Sequence, residues 1–186
     1  PALAELYKLT VEDIERITTL SAKNLFGIAQ SDTNPEIAYV IRNSLYLNIT
    51  SRCPNKCVFC SRETAPYVKG HYLGTDSEPT VEELKDAIGD PSGYDEVVFC
   101  GFGESTERLD VLKEIAGYLK EKGSKVRLDT NGLGDLINGR SISEELKGLV
   151  DTICISLNTN IEEEYQKLCH SEYDDQAYPA LISFIK

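Results

Sequence analysis

Leu45-Tyr-Leu-Asn-Ile-Thr50-Ser-Arg-Cys53-Pro-Asn-Lys-Cys57-Val-Phe-Cys60 runs from an alternating apolar and polar stretch straight into three cysteines crowded within eight positions. Alternation is the period of a half-buried strand, so the cysteines are predicted on the loop at that strand's carboxyl end. Separated by three and then two residues, three thiolates can wrap three corners of an iron-sulfur cubane and leave one iron unclaimed. A closed zinc site wants four ligands, and no obvious fourth stands nearby, since His71 lies beyond a polar loop and Cys100 belongs to another strand. Cluster binding is favoured over zinc and over chance spacing, both of which stay open on spacing alone.

Working outward, the strand and loop begin a pattern that repeats. A capping box, Thr80-Val-Glu-Glu83, opens a helix with Val81, Leu84 and Ile88 on one face. Strands are then predicted at 97–100, 126–130 and 152–157, and helices at 109–120, 144–149 and 161–168. Four strands alternating with helices imply a parallel α/β sheet joined by crossovers. Small and polar residues fall just after each strand: the cysteines, Gly101-Phe-Gly-Glu104, Asn131-Gly132, and Ser156-Leu-Asn158. In parallel α/β folds ligands bind at the carboxyl ends of strands, so these four groups are expected to share one composite site.

Upstream, Thr10-Val-Glu-Asp13 caps a helix carrying Val11, Ile14, Ile17 and Leu20 at helical spacing. Turn-forming residues from Gln30 to Pro35 place a boundary near Asp32, which divides the chain into a helical tail at 1–30, a linker at 31–38 and a core at 39–186. The first residue is Pro1, and Leu181-Ile-Ser-Phe-Ile-Lys186 stops inside an apolar helical pattern, so the sequence reads as a fragment.

Lys and Arg total 19 against 31 Asp and Glu, a net charge of −12 over 186 residues, which disfavours an extended nucleic-acid ligand. No apolar run is long enough to cross a membrane. The clustering of three of the six cysteines favours metal over disulfides, in keeping with a reducing, cytoplasmic setting. Cys100, Cys154 and Cys169 sit among apolar neighbours and are expected to be buried packing residues. His71 and His170 lack metal-ligand spacing, and Glu162-Glu-Glu164 reads as a solvated helix face.

Cys53, Cys57 and Cys60 after a first strand, with Phe59 before the third, resemble the signature of the radical SAM superfamily. The resemblance implies a partial (β/α) TIM-like barrel, truncated after about four βα units and preceded by a short helical segment. It implies a [4Fe-4S] cluster on the three cysteines, S-adenosylmethionine on the fourth iron, an electron donor such as flavodoxin or ferredoxin, and a substrate that is unknown. Phe59 would then lie near the adenine. Gly101-Phe-Gly-Glu-Ser105 resembles the family's Gly-Gly-Glu-Pro motif, with Phe102 for a glycine and Ser105 for the proline; Gly101, Phe102 and Gly103 would approach the cofactor, and Glu104 would accept from its methionyl amino group. Asp129-Thr-Asn-Gly132 resembles the family's Thr-Asn-Gly, where Asn131 would meet cofactor or substrate, and is equally an Asn-Gly turn. Ser156 and Asn158 would bind ribose or carboxylate, or else cap the following helix. No residue is assigned as catalytic.

Leu9 to Gly27, ending Ser21-Ala-Lys-Asn-Leu-Phe-Gly27, resembles the closing helices of TatD-type metal-dependent hydrolases. None of those hydrolases' metal ligands is present, so no hydrolase activity is assigned. Asn48 to Cys57, Val98 to Glu104 and Ser156 to Asn158 also resemble a TatD-associated radical SAM subgroup, which implies a fused or associated hydrolase. The rival expectations are a non-catalytic iron-sulfur or zinc-binding module, and a piece of a hydrolase fusion.

Overall fold

Ala38–Ile41 (β1) and Ser44–Leu47 (β2) form an antiparallel hairpin, and β2 then pairs in parallel with Glu96–Phe99 (β5), which pairs with Val126–Thr130 (β6) and that with Thr152–Ile155 (β7). The computed structural model describes residues 1–28, 34–63, 65–74 and 77–186. Its helices are Ala2–Tyr7 (α1), Val11–Phe26 (α2), Val81–Ile88 (α3), Leu109–Glu121 (α4), Gly134–Asn138 (α5), Ser143–Leu146 (α6), Glu162–Cys169 (α7) and Ala177–Ile185 (α8). A separate two-stranded ribbon, Tyr67–Val68 (β3) with His71–Tyr72 (β4), lies between β2 and α3. The sheet order is β1-β2-β5-β6-β7, so the four parallel strands stand in the order of the chain. A doubly wound sheet reverses its order at a switch point; this one does not, as in a partial (β/α) barrel.

Period-2 patterning decides which face the helices cover. Leu45, Leu47, Val97, Phe99, Val126 and Leu128 point to one side and pack with Leu84 and Ile88 of α3, Leu112, Ile115 and Leu119 of α4, and Ile142 and Leu146 around α6. Each fully buried leucine or isoleucine there contributes about 1.5–3 kcal/mol. Arg127 and Asp129 alternate with Val126 and Leu128 onto the opposite face, where Arg127 reaches the Tyr46 hydroxyl at 3.2 Å and Glu96 at 2.9 Å.

Both predicted capping boxes are present: Thr10 with Asp13, and Thr80 with Glu83. The third strand occupies its predicted bounds, while the first and fourth end earlier, at Leu47 and Ile155, because the chain past them turns into the site loops. The helix expected at 144–149 is one turn, Ser143–Leu146. Strand β1 was not anticipated, since four residues and an Arg42-Asn43 turn carry little hairpin signal. The expected boundary near Asp32 lies outside the described residues.

Asp13 explains how the hairpin turn and α2 hold each other. Its carboxylate is buried and accepts from the backbone N–H of Arg42 at 3.0 Å, from that of Thr10 at 3.2 Å and from the Arg16 guanidinium at 3.1 Å. Arg42 sits at φ 56°, a left-handed backbone that a non-glycine residue adopts at a cost, and the Asp13 bond offsets it. Burial works to raise the Asp13 carboxyl, but the Arg42, Arg16 and Thr10 donors outweigh it and hold the group below 3.8. A depressed pKa contributes stability above the ordinary carboxylate value and loses it as pH falls through the folded value. Asp13→Ala is therefore expected to cost about 2 kcal/mol at neutral pH, read as faster amide exchange across α2, and the gap from wild type should close below pH 3.8. Equal exchange in the two proteins at neutral pH would disprove the tie.

Candidate metal centre

The loop after β2 is held on three sides. From the β5 side, Gly103 N–H donates to Thr50 O at 3.0 Å and Glu104 N–H to Arg52 O at 2.8 Å. This approach leaves no room for a side chain: a Cβ on Gly103 would collide with Thr50 O and stand 2.6 Å from Arg52 O, and one on Gly101 would collide with Asn48 Oδ1. The glycines thus act on the site by letting one backbone run against another. Asn48, fully buried, accepts from Phe102 N–H at 3.2 Å and donates to Leu73 O at 3.1 Å. The Phe102 side chain leaves the loop and packs with Tyr39 and Leu73.

From the C-terminal side, the end of α7 zips onto the cysteines. Lys56 N–H donates to Cys169 O, Val58 N–H to Leu168 O, and Glu172 N–H to Pro54 O, at 2.8–2.9 Å. From within, the Arg62 guanidinium bonds Ser51 O at 3.0 Å and Asn55 O at 3.3 Å, tying the loop's two limbs. Cys53, Cys57 and Cys60 are half-buried, while Val58 and Phe59 project outward, Phe59 58% exposed.

Glu104 and Asn131 arrive beside Cys53 from the ends of β5 and β6. Glu104 Oε1 accepts from Thr106 N–H at 3.1 Å and from the Thr106 and Thr130 hydroxyls at 2.8 and 2.9 Å. Its Oε2 accepts from Asn131 N–H at 2.7 Å. Burial pushes the Glu104 carboxyl up, and these donors pull against that. The Asn131 carboxamide donates to Cys53 Sγ at 3.8 Å. Ser156 is exposed, its N–H on Thr130 O at 2.9 Å. Asn158 is exposed at φ 51° and donates to Cys169 Sγ at 3.5 Å; no helix-capping bond from either side chain is present at α7.

Two expectations about lone cysteines need correction. Cys154 is exposed, because β7 is the outer strand of the sheet, and Cys100 is only half-buried. Cys169 is buried as expected, but it sits against Cys57, a juxtaposition made by the return of α7 that nothing in the local sequence signals. Burial, and then the thiols of Cys169, Cys53 and Cys60, push Cys57 up to about 12. Burial likewise raises Cys53, against the Asn55 N–H, Arg62 and Asn131, which favour its thiolate.

Among the described residues, no three His, Cys, Asp or Glu side chains converge as ligands of a single ion. Thiolates on a cubane bind separate irons and stand farther apart than the ligands of one zinc, so three soft donors spread along one loop fit a cluster. Residues 47–182 match the Radical SAM superfamily profile. The chain belongs to the radical SAM superfamily. Radical SAM enzymes use a [4Fe-4S] cluster and S-adenosylmethionine.

Three relatives are similar over part of their length. Fe-coproporphyrin III synthase of Methanosarcina barkeri is 36% identical over 102 residues, 54% of this chain and 23% of its own. A candidate glycyl-radical enzyme activating enzyme of Methanocaldococcus jannaschii is 34% identical over 111 residues, 59% of this chain and 41% of its own. An uncharacterized protein of the same organism is 27% identical over 128 residues, 68% of this chain and 38% of its own. The radical SAM chain described here therefore spans less than half the length of each.

Proposed function

We propose that the protein is a radical SAM enzyme in which Cys53, Cys57 and Cys60 hold three irons of a [4Fe-4S] cluster and Glu104 receives the methionyl ammonium of S-adenosylmethionine. The observation that carries this is the meeting of three strand ends at one sulfur: Glu104 after β5 and Asn131 after β6 both stand beside Cys53 after β2. When bound, the two groups supply one-electron cleavage of the sulfonium to a 5′-deoxyadenosyl radical that takes hydrogen from a substrate. The chain's own work is positioning. Glu104 Oε1 is filled by three donors, whereas among the described residues Oε2 accepts only from Asn131 N–H and keeps a lone pair for an ammonium. The exposed Phe59 ring offers a face for the adenine, and Ser156 and Asn158 offer a hydroxyl and an amide to ribose or carboxylate.

The test is anaerobic reconstitution of the intact protein with iron and sulfide, followed by dithionite and S-adenosylmethionine. Formation of 5′-deoxyadenosine is expected; a loaded cluster without it would leave a metal-binding module instead. The relatives' names carry two different activities, so neither is transferred, and the substrate stays open. An electron donor such as flavodoxin or ferredoxin belongs to this proposal, as does a cytoplasmic setting, supported by the free cysteines. No helix among the described residues is long and apolar enough to cross a membrane. The TatD-associated subgroup, with residues 1–28 as a hydrolase-like tail, is supported by the sequence phrases quoted above and by the helical form of that segment.

A further inference from the structure

Asn131 is locked at two points before its carboxamide meets anything else. Its backbone N–H is on Glu104 Oε2 at 2.7 Å, and its Oδ1 accepts from Leu133 N–H at 2.9 Å. The second bond settles the orientation of the amide: with Oδ1 turned to Leu133, the nitrogen is the atom that faces Cys53 Sγ, 3.8 Å away. The turn beneath is equally constrained. Gly132 is at φ 77°, and a Cβ there would collide with Leu181 Cδ1 and stand 3.0 Å from Ile155 Cγ2, so the turn is seated against α8 and β7. An ordinary Asn-Gly turn needs the Oδ1 bond alone and gives no reason for the nitrogen to point at a thiol.

We propose that Asn131 is a positioning residue that donates a carboxamide hydrogen bond to the sulfur of Cys53 and thereby raises the reduction potential of the cluster Cys53 helps to hold. This rests on Cys53 being a cluster ligand. A hydrogen bond to a ligand sulfur withdraws electron density from it, and the more negative, reduced cluster gains more from that bond than the oxidised one. The donor costs no reorganisation, because Glu104 and Leu133 already hold it in place.

The experiment is a redox titration of the cluster, followed by electron paramagnetic resonance, in the reconstituted intact protein without S-adenosylmethionine. Asn131→Asp keeps the oxygen for Leu133 and removes the donor, while Asn131→Ala removes the donor without adding charge. At a fixed poise the ratio of reduced to oxidised cluster should fall about tenfold in Asn131→Ala, equivalent to about 59 mV for one electron, and further in Asn131→Asp. Asn138→Ala loosens the same corner by losing bonds to Thr106 O and Gly134 O without facing sulfur, and should leave the potential where it was. Unchanged potentials in fully loaded Asn131 variants, or an equal fall in Asn138→Ala, would overturn the inference. Should the Asn131 variants lose iron, the wild-type protein decides the matter. Asparagine labelled with 15N at the carboxamide should give a hyperfine coupling to the reduced cluster, assigned to Asn131 because the other carboxamides around this loop face elsewhere: Asn48 donates to Leu73 O, Asn55 to the Tyr165 hydroxyl and Asn158 to Cys169 Sγ. No coupling overturns the inference, and a wild-type protein that assembles no [4Fe-4S] cluster sinks the underlying function as well.

Discussion

Cys57→Ser is expected to abolish the brown chromophore of the reconstituted protein and to drop its iron from about four per chain to near none. A serine hydroxyl is a poor ligand for the irons of a cubane, which select soft thiolate, and two remaining cysteines cannot anchor three corners. Cys154→Ser, on the exposed outer strand, should keep full iron and colour. Cys169→Ser is the sharper control, because Cys169 touches Cys57 and could stand in for it. It should keep its iron, and the double variant with Cys57→Ser should be no worse than Cys57→Ser alone. If Cys169→Ser bleached the protein as fully as Cys57→Ser, the ligand set named here would be wrong.

The second large effect is expected at Glu104, where fold and function pull on the same carboxylate. Glu104→Ala leaves the Asn131 and Thr106 N–H groups and the Thr106 and Thr130 hydroxyls facing a void, at a cost of about 3–5 kcal/mol. Set against a typical total of about 5–15 kcal/mol, that removes much of the margin, and the denaturant midpoint should fall steeply. Glu104→Gln separates the two roles. Its oxygen can still take Thr106 and Thr130, but its NH2 meets Asn131 N–H donor to donor, costing about 1–3 kcal/mol. The lost charge should also weaken S-adenosylmethionine binding to the cluster-loaded protein about tenfold to a hundredfold in equilibrium dialysis, as expected when a charge-assisted bond is removed. Binding as tight as wild type in a folded Glu104→Gln protein would make Glu104 a strut between β5 and β6 and no more.

Several features are legible in the residues because their causes are local. The capping boxes at Thr10 and Thr80 work within four residues, and the alternation in Val126–Thr130 reports directly which side chains meet the helices. The small and polar residues after each strand likewise announce a shared face, since in a parallel sheet all those ends lie on one side. The hairpin at Arg42 was not legible, because its left-handed turn is stabilised by Asp13 from another helix. Cys154 and Cys169 show the same limit. Both sit in apolar surroundings in sequence, yet one lies on the exposed edge strand and the other is carried against Cys57.

The cysteine loop was therefore determined by the sequence alone: its spacing, its place after a strand, and the soft donors it presents are properties of sixteen consecutive residues, Leu45 to Cys60. What surrounds those sulfurs was decided only by the tertiary structure. Glycines at 101 and 103 let the β5 loop run against Thr50 and Arg52, which delivers Glu104 to Cys53. Leu133 turns the Asn131 amide toward the sulfur, and the return of α7 brings Leu168 and Cys169 onto Lys56 and Val58. Apart from the Leu133 bond, which lies within one turn, each of these is a contact between segments far apart in the chain, and no local pattern encodes it.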